Sequence, residues 1–300
     1  MCSRTIAAGQ ESALRIDLHT HSTASDGTDA PSAVIAGAAG AGLDVLALTD
    51  HDTTGGWAEA VAERPRGLTL LLGAELSCMV DVPVLGRRIS MHLLAYGFDP
   101  EEPQLAAERL RMREARVDRV ERWQQMLRDD GYDLSLEPLR RQAERGTVGR
   151  PHFASLLVES GLAPSFEAAF GPDWAGGRYR VPRAGWDVFD AVAKVSGAGG
   201  ATVFAHPYAR LRGAVVGEPE IRALAAAGLT GIEVDHPDHV PKDRAALRRL
   251  AAELDLVVTG SSDYHGARKD QGLGAETTDP RQLERLLAGV TGRQPVTDPV

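Results

Sequence analysis

The sequence predicts an α/β protein whose parallel sheet, open or closed into a barrel, is covered by helices and interrupted by a helical insertion. Three observations predict it. Seven short runs are apolar and β-rich, most of them are separated by helix-like patterns, and between about residues 100 and 190 helical patterns dominate. Strands alternating with helices build parallel sheets, and nearly continuous apolar character marks strands covered on both faces.

The strand candidates are "RIDLH" (15–19), "DVLALT" (44–49), "LTLLLGAEL" (68–76), "RISMHLLAY" (88–96), "ATVFAH" (201–206), "TGIEV" (230–234) and "DLVVTG" (255–260). Each leads into a turn or helix signal. Between the first two, "DAPSAVIAGAAGAG" opens with Asp29 and Pro31 as cap and first-turn residues of a helix. "EPEIRALAAAGL" fills a later interval, and "VPKDRAALRRLAAEL" carries Pro241 near its start. In the insertion, "PQLAAERLRMREARVDRVERWQQMLRDDG" places Leu110, Val117, Val120, Trp123 and Leu127 at helical spacing; "SLEPLRRQAER" and "RPHFASLLVESG" come after it. Its arginines, from Arg109 to Arg128, are nearly matched by acidic neighbours, which reads as a solvated face with i to i+4 pairs rather than an RNA track. From about residue 291 the chain reads as a loose tail.

With 300 residues, 43% hydrophobic and 25% charged, the chain can bury a sizeable core as one large domain or one domain carrying an insertion. No run approaches the roughly 18 apolar residues of a spanning helix, and no apolar run follows Arg4, so a cytoplasmic, unprocessed protein without a membrane partner is expected. Cys2 and Cys78 are the only cysteines, which leaves nitrogen and oxygen to hold any metal. A net charge of -9 argues against broad nucleic-acid binding, but it counts no bound cations. A phosphate substrate therefore suits this acidic chain if its site is metallic.

The seven strand candidates share a feature that periodicity does not require. Each carries a metal-capable residue at or just beyond its C-terminal end, the fourth a little earlier: His19 and His21; Asp50, His51 and Asp52; Glu75; His92; His206; His236; Asp263 and His265. In a parallel barrel those ends form one face, where active sites are built. A histidine at one strand end is ordinarily packed or solvated; the joint placement is the signal, since the chain has nine histidines and most of them fall there. Residues i and i+2 share a face of a strand, so His19 and His21 of "DLHTHSTASDGT" point the same way, while Asp26 in the turn beyond reaches a different ion or caps a helix. Imidazole with carboxylate suits manganese, zinc or iron. The donors are too many for one ion, so two or three divalent ions are expected. A carboxylate bridging two cations about 3.5–4 Å apart lets them share a hydroxide for attack on phosphorus.

The series "DLHTHSTASDGT", "ALTDHDTTGG", "GAELSC", "HLLAYGFD", "GRPHFASLLVESG", "VFAHP", "GIEVDHPDH" and "TGSSDYHG" resembles the motifs of the polymerase and histidinol phosphatase (PHP) superfamily, in order, from about residue 15 to about 275. More narrowly it resembles the bacterial stand-alone, metal-dependent phosphoesterases that include nucleoside 3',5'-bisphosphate phosphatases and 5'-3' exoribonucleases. The resemblance implies a distorted (β/α)7 barrel over residues 13–100 and 191–290, with 101–190 as a helical insertion capping the substrate. It also implies a trinuclear centre. His19, His21, Glu75 and Asp263 would hold the first ion; Glu75 would bridge to a second held by His92 and His206; Asp26, His51 and His265 would hold a third. The implied substrates are nucleotides or short 5'-phosphorylated oligonucleotides, without a stable nucleic-acid complex, and manganese is the expected metal.

Asp263, His206 and Arg150 are the catalytic candidates, and Arg150, His152, Arg178, Tyr179, Arg180 and His236 the candidates for substrate contact. Arginine offers phosphate a forked, permanently charged donor set. Arg178 and Arg180 read equally as surface residues; Tyr179 either stacks on a base or packs against the insertion; His152 either faces the metals or serves the start of a helix. His236 and His239 read as a solvated loop or a substrate contact. Histidinol phosphate or another small monoester is the alternative substrate. A metal amidohydrolase is the alternative chemistry, but such enzymes commonly bridge their ions with a strand-end lysine, and Lys194, Lys242 and Lys269 do not offer one. Ser261 stands where the family pattern has glycine.

Overall fold

The computed structural model describes residues 14–145, 148–182 and 184–298. Seven strands succeed one another around the sheet: β1 (Ile16–Thr20), β2 (Val45–Leu48), β3 (Thr69–Val82), β4 (Arg87–Tyr96), β6 (Ala201–Phe204), β7 (Gly231–Asp235) and β8 (Val257–Gly260). The two-residue β5 (Trp186–Asp187) lies off this path and pairs with β3. The ring nearly closes between its ends. Thr20 forms an isolated bridge with Tyr264, the His21 amide donates to the Tyr264 carbonyl at 2.9 Å, and the Ser262 amide donates to Asp17 Oδ1 at 3.1 Å. The result is a barrel-like α/β sheet.

The expected all-parallel pairing is corrected at β4, which runs antiparallel to both β3 and β6. β3 continues to Val82, and a single helical turn at Pro83–Leu85, closed by Gly86 at φ 58°, sends the chain straight back. A link that short permits only antiparallel pairing, whereas a parallel neighbour needs a long crossover. Reversal of β4 explains its odd ligand position: His92 faces Ser77 across the ladder in mid-strand, short of the strand's C-terminal end, because β4 starts from the end of the barrel at which the other strands finish.

Helices α1 (Pro31–Gly40), α2 (Trp57–Ala62), α7 (Val188–Gly197), α8 (Glu218–Ala226), α9 (Pro241–Glu253) and α10 (Pro280–Leu287) accompany the sheet. Asp29 does not cap α1: its N-cap is Ala30, and the Asp29 carboxylate instead accepts from the Tyr264 hydroxyl at 2.5 Å. Ile16, Leu18, Ala47, Leu71, Leu94 and Val203 pack together in one apolar cluster, and a larger one joins strands to helices. The tail is not loose as far as Asp298. Val296 pairs with Leu70, and the Asp298 carboxylate accepts from Arg64 and from the Gly67 amide.

Between β4 and β5 run α3 (Pro103–Asp129), α4 (Glu137–Arg145), α5 (Arg150–Glu159) and α6 (Phe166–Ala169). They gather a separate apolar cluster that includes Val120, Leu127, Leu157 and Tyr179, with Trp123 and Phe153 stacked at 4.5 Å. Trp186 and Val188 return to the large cluster of the main body. Two expectations for α3 are corrected. Leu110 is exposed, the buried stripe running instead through Leu105, Met112, Val120 and Trp123. Its arginines are not all solvated: Arg116 and Arg119 are buried, because their length lets the guanidinium reach acceptors across the helix interface.

Candidate metal centre

The strand ends bring histidine, aspartate and glutamate side chains from across the chain into one pocket. His19 and His21 leave β1 two residues apart and fully buried, their Nε2 atoms 3.0 Å from each other. Glu75 of β3 divides its carboxylate between two sides. Oε2 lies 3.2 Å from each of those nitrogens and 3.0 Å from His51 Nδ1. Oε1 lies 2.7 Å from His92 Nδ1 and 2.9 Å from His206 Nε2. Asp263 Oδ1, beyond β8, faces His19, His21 and His265 at 3.4 to 3.5 Å. Asp26 Oδ1 faces His265 Nε2 at 3.4 Å, His51 Nε2 at 3.8 Å and His21 Nδ1 at 4.0 Å. Gly27 makes that turn possible, since a Cβ there would sit 2.6 Å from the His21 carbonyl oxygen.

The donor set fits divalent cations. Three groups have ligand atoms within 4.8 Å of one another: His21, Asp26, His51 and His265; His19, His21 and Glu75; and His51, Glu75 and His92. His19 Nδ1 meets Glu233 Oε1 at 3.1 Å, and His265 Nδ1 meets the Asp263 carbonyl at 2.8 Å. A proton on each Nδ1 leaves each Nε2 lone pair turned to the pocket, the arrangement in which an outer carboxylate or carbonyl orients a metal-binding imidazole. Asp26 Oδ1 is buried and accepts no hydrogen bond among the described residues. A cation shared with the imidazole nitrogens around it supplies its missing partner.

Electrostatics agree. Burial disfavours charge on His19, but Glu75, Asp263 and Glu233 outweigh it and raise its pKa well above the usual imidazole range. His21 is buried too, and hydrogen bonds to Asp263 and Glu75 push it up to about 9. Burial, only partly offset by Glu75 and Asp26, drops His51 to about 3. Glu75 is buried, yet His51, His92 and His19 hold it well below the usual carboxylate range, and His51 and His265 do the same for the partly buried Asp26. Cations would replace the protons of this network with a larger positive charge.

A supporting layer fixes these side chains. Glu233 Oε2 accepts the His206 amide at 2.7 Å, and its other oxygen takes the Ser261 hydroxyl as well as His19. Ser261, the departure from the family pattern, thus buttresses His19 through Glu233. Asp50 Oδ1 accepts the Ser22 amide at 2.7 Å and the Ser25 hydroxyl at 2.6 Å, which shapes the turn before Asp26. Asp263 Oδ2 meets His236 Nε2 at 3.2 Å and Lys269 Nζ at 2.5 Å, so Oδ1 is left for the pocket. Asp52, His206 and Asp263 have φ of 51°, 31° and 52°, conformations that side chains seldom adopt and that cluster at functional sites.

The remaining candidates separate. His236 is buried against Asp263, not in a solvated loop, and His239 is buried too, its Nε2 accepting the Tyr208 amide. Tyr179 does not present itself to a base: it is buried, stacked on Trp174 at 5.3 Å, with its hydroxyl on Asp130. Arg178 binds the same carboxylate at the end of α3, and Arg180 is exposed on the same stretch. His152 faces the Ser25 carbonyl at 3.0 Å. Arg150, exposed, opens the same helix with its guanidinium over Phe170. Sequence reasoning missed Glu233 and the Asp263 contact of Lys269. A lone carboxylate inside the apolar "TGIEV" was the available signal, as was a rare lysine close behind a ligand motif.

A barrel end lined with buried imidazoles around a shared carboxylate defines a metal-binding hydrolase. Residues 17–137 match the PHP domain family. A 3',5'-nucleoside bisphosphate phosphatase from Chromobacterium violaceum is 36% identical over 253 residues, covering 83% of this chain and 87% of the relative. A 5'-3' exoribonuclease from Haemophilus influenzae is 32% identical over 256 residues, covering 84% and 90%. The structure of a candidate metal-dependent phosphoesterase from Bifidobacterium adolescentis superposes with a TM-score of 0.82 at 34% identity, covering 94% of this chain and 98% of that one. The chain belongs to the PHP family of metal-dependent phosphoesterases. No helix among the described residues is long and apolar enough to cross a membrane.

Proposed function

We propose that this chain hydrolyses phosphate esters of nucleotides or the 5' end of short phosphorylated oligonucleotides, with manganese as its metal, in the cytoplasm. The observation that carries the reading is the divided Glu75 carboxylate, one oxygen among His19, His21 and His51 and the other between His92 and His206. His19, His21, Glu75 and Asp263 would hold one ion, Glu75, His92 and His206 a second, and Asp26, His51 and His265 a third. When bound, such ions neutralise phosphoryl oxygens and make water a nucleophile at neutral pH.

The chain's own residues do the rest. Buried His19 and His21 form the floor, whereas the side chains of His92 and Asp26 keep 18% and 15% of their surface exposed, so the phosphate enters on their side. Asp263 Oδ1 would take the proton of the attacking water, a role supported by the engagement of Oδ2 with His236 and Lys269. His206, held by Glu233 and Glu75, fixes the far edge of the site. Arg150 is assigned to the phosphoryl oxygens because α5 begins beside the Asp26 turn, and residues 101–190 act as the substrate cap. Lys194 and Lys242 lie in α7 and α9, and Lys269 meets the outer oxygen of Asp263, so none bridges the site as amidohydrolase chemistry needs.

The test is product release by manganese-loaded protein offered adenosine 3',5'-bisphosphate, a 5'-phosphorylated RNA pentamer and histidinol phosphate in parallel, with Asp263→Asn as control. AMP from the first, or mononucleotides from the 5' end of the second, with a silent control, supports the reading. Cleavage of histidinol phosphate alone would move the substrate to small metabolites.

A further inference from the structure

We propose that the helices between β4 and β5 set the cation affinity of one part of the centre, the His21, Asp26, His51 and His265 group, by clamping the two loops that deliver Asp26 and His51. The proposal rests on reading the cluster as a metal centre. It makes Arg116 and His152 positioning residues: each acts through a neighbour of a ligand.

The first loop is the turn from Ser22 to Asp26. On the barrel side Asp50 holds it, through the Ser22 amide and the Ser25 hydroxyl. On the other side His152 Nδ1 accepts from the Gly149 amide at 3.1 Å, so the ring proton sits on Nε2 and is donated to the Ser25 carbonyl at 3.0 Å. Gln142 of α4 donates to the same carbonyl at 3.3 Å. Two helices therefore converge on the residue that precedes Asp26.

The second loop runs from His51 to Thr54. Asp52 is held at φ 51° by four contacts. Its oxygens accept the Ser77 amide at 2.6 Å and hydroxyl at 2.7 Å, its amide donates to the Glu75 carbonyl at 2.9 Å, and Arg116 of α3 lies 2.6 Å from Oδ2. Both partners of the ion pair are buried. Two turns earlier on the same face of α3, Arg109 donates to the Thr54 hydroxyl at 2.7 Å. An aspartate in the left-handed region persists only where its surroundings hold it there, and here a residue of α3 is part of that hold.

Asp26 and His51 belong together to one donor group, and His51 also joins Glu75 and His92 in another, while the His19, His21 and Glu75 group draws only on β3 and on β1 with the residue just past it. The clamp thus acts on part of the centre. Loss of an outer-shell partner typically weakens metal binding by about 10–100-fold.

Metal-stripped full-length protein is titrated with Mn2+ by calorimetry, bound metal is counted by mass spectrometry, and thermal unfolding of the stripped protein is monitored in parallel. Asp26→Asn identifies the binding step that belongs to this group. Arg116→Met and His152→Leu should each weaken that same step by about 10–100-fold and leave the step of the His19, His21 and Glu75 group within about twofold, with Arg116→Lys falling between. Unchanged isotherms in variants whose unfolding temperature has dropped would overturn the clamp, since Arg116 and His152 would then only attach helices to barrel. Equal weakening of every step would also overturn it. A parent protein with no saturable step would overturn the metal reading itself, whereas a normal parent with unaffected clamp variants would sink the clamp alone.

Discussion

The strand-end pocket and the helical segment beside it bury side chains of opposite kinds. The pocket floor is nearly all titratable: His19, His21, Glu75, Glu233 and Asp263 are each almost inaccessible, and each faces another charged or polar group. The helical segment closes over aromatic rings, with Trp123 on Phe153 and Trp174 on Tyr179, and sends only a few polar side chains across to the barrel. Burial of so many polar groups is costly in the absence of partners. The pocket, where Asp26 Oδ1 has no hydrogen-bond partner among the described residues, is suited to hold cations, whereas the helical core is closed by apolar packing.

The contrast breaks most severely at Glu75. Glu75→Gln removes the negative charge common to both sides of the pocket, so kcat/KM should fall by more than the about 100-fold that bounds the loss of an outer-shell partner, while urea unfolding of the metal-free protein stays cooperative. Phe153→Ala attacks the other region: it should cost about 3–5 kcal/mol in denaturant unfolding, yet leave manganese on the His19, His21 and Glu75 group. If that substitution strips all metal, the two regions are not separable. Glu233→Gln should weaken metal binding by about 10–100-fold, read by competition with a chelating dye, because His19 would lose its charged partner.

A pH series sharpens the same comparison. His21 is pushed up to about 9 and His19 is raised well above the usual imidazole range, so near neutral pH both hold protons that a cation must displace. Manganese affinity should climb as pH rises toward about 9, by about tenfold per unit for each proton released. Calorimetry in buffers of different ionisation heat counts those protons, and affinity independent of pH would contradict the assignment. The smallest effect is expected at Tyr179→Phe, which deletes a hydroxyl on Asp130: about 1 kcal/mol of stability and no change in KM. A raised KM there would restore Tyr179 to substrate contact.

Much of this was legible because strands and ligands obey short-range rules. The i and i+2 spacing of His19 and His21, and the apolar runs before each ligand, required only knowledge of a strand's period. Reversal of β4 was hidden because antiparallel pairing depends on a compact link, and "VPVLGRR" signals a turn without giving the direction of the next strand. Arg116 escaped for a different reason. Its neighbours in sequence are charges of alternating sign, and only the packing of α3 on the loop after β2 picks it out from the arginines left in water. Glu233 and Asp17, carboxylates inside apolar strands, were the most readable of the residues passed over.

The isolated bridge between Thr20 and Tyr264 has a mechanical meaning. It is the seam of the ring, and the residues flanking it are His19 and His21 on one lip, Asp263 and His265 on the other. A cation gripped by both lips is a buckle across the thinnest join of the barrel. Withdrawal of the ions should then loosen the hoop at one point, with amide exchange quickening at His21 and along the 261–266 segment while the opposite wall, where β3 and β4 zip together from Gly73↔Tyr96 to Val82↔Arg87, keeps its protection.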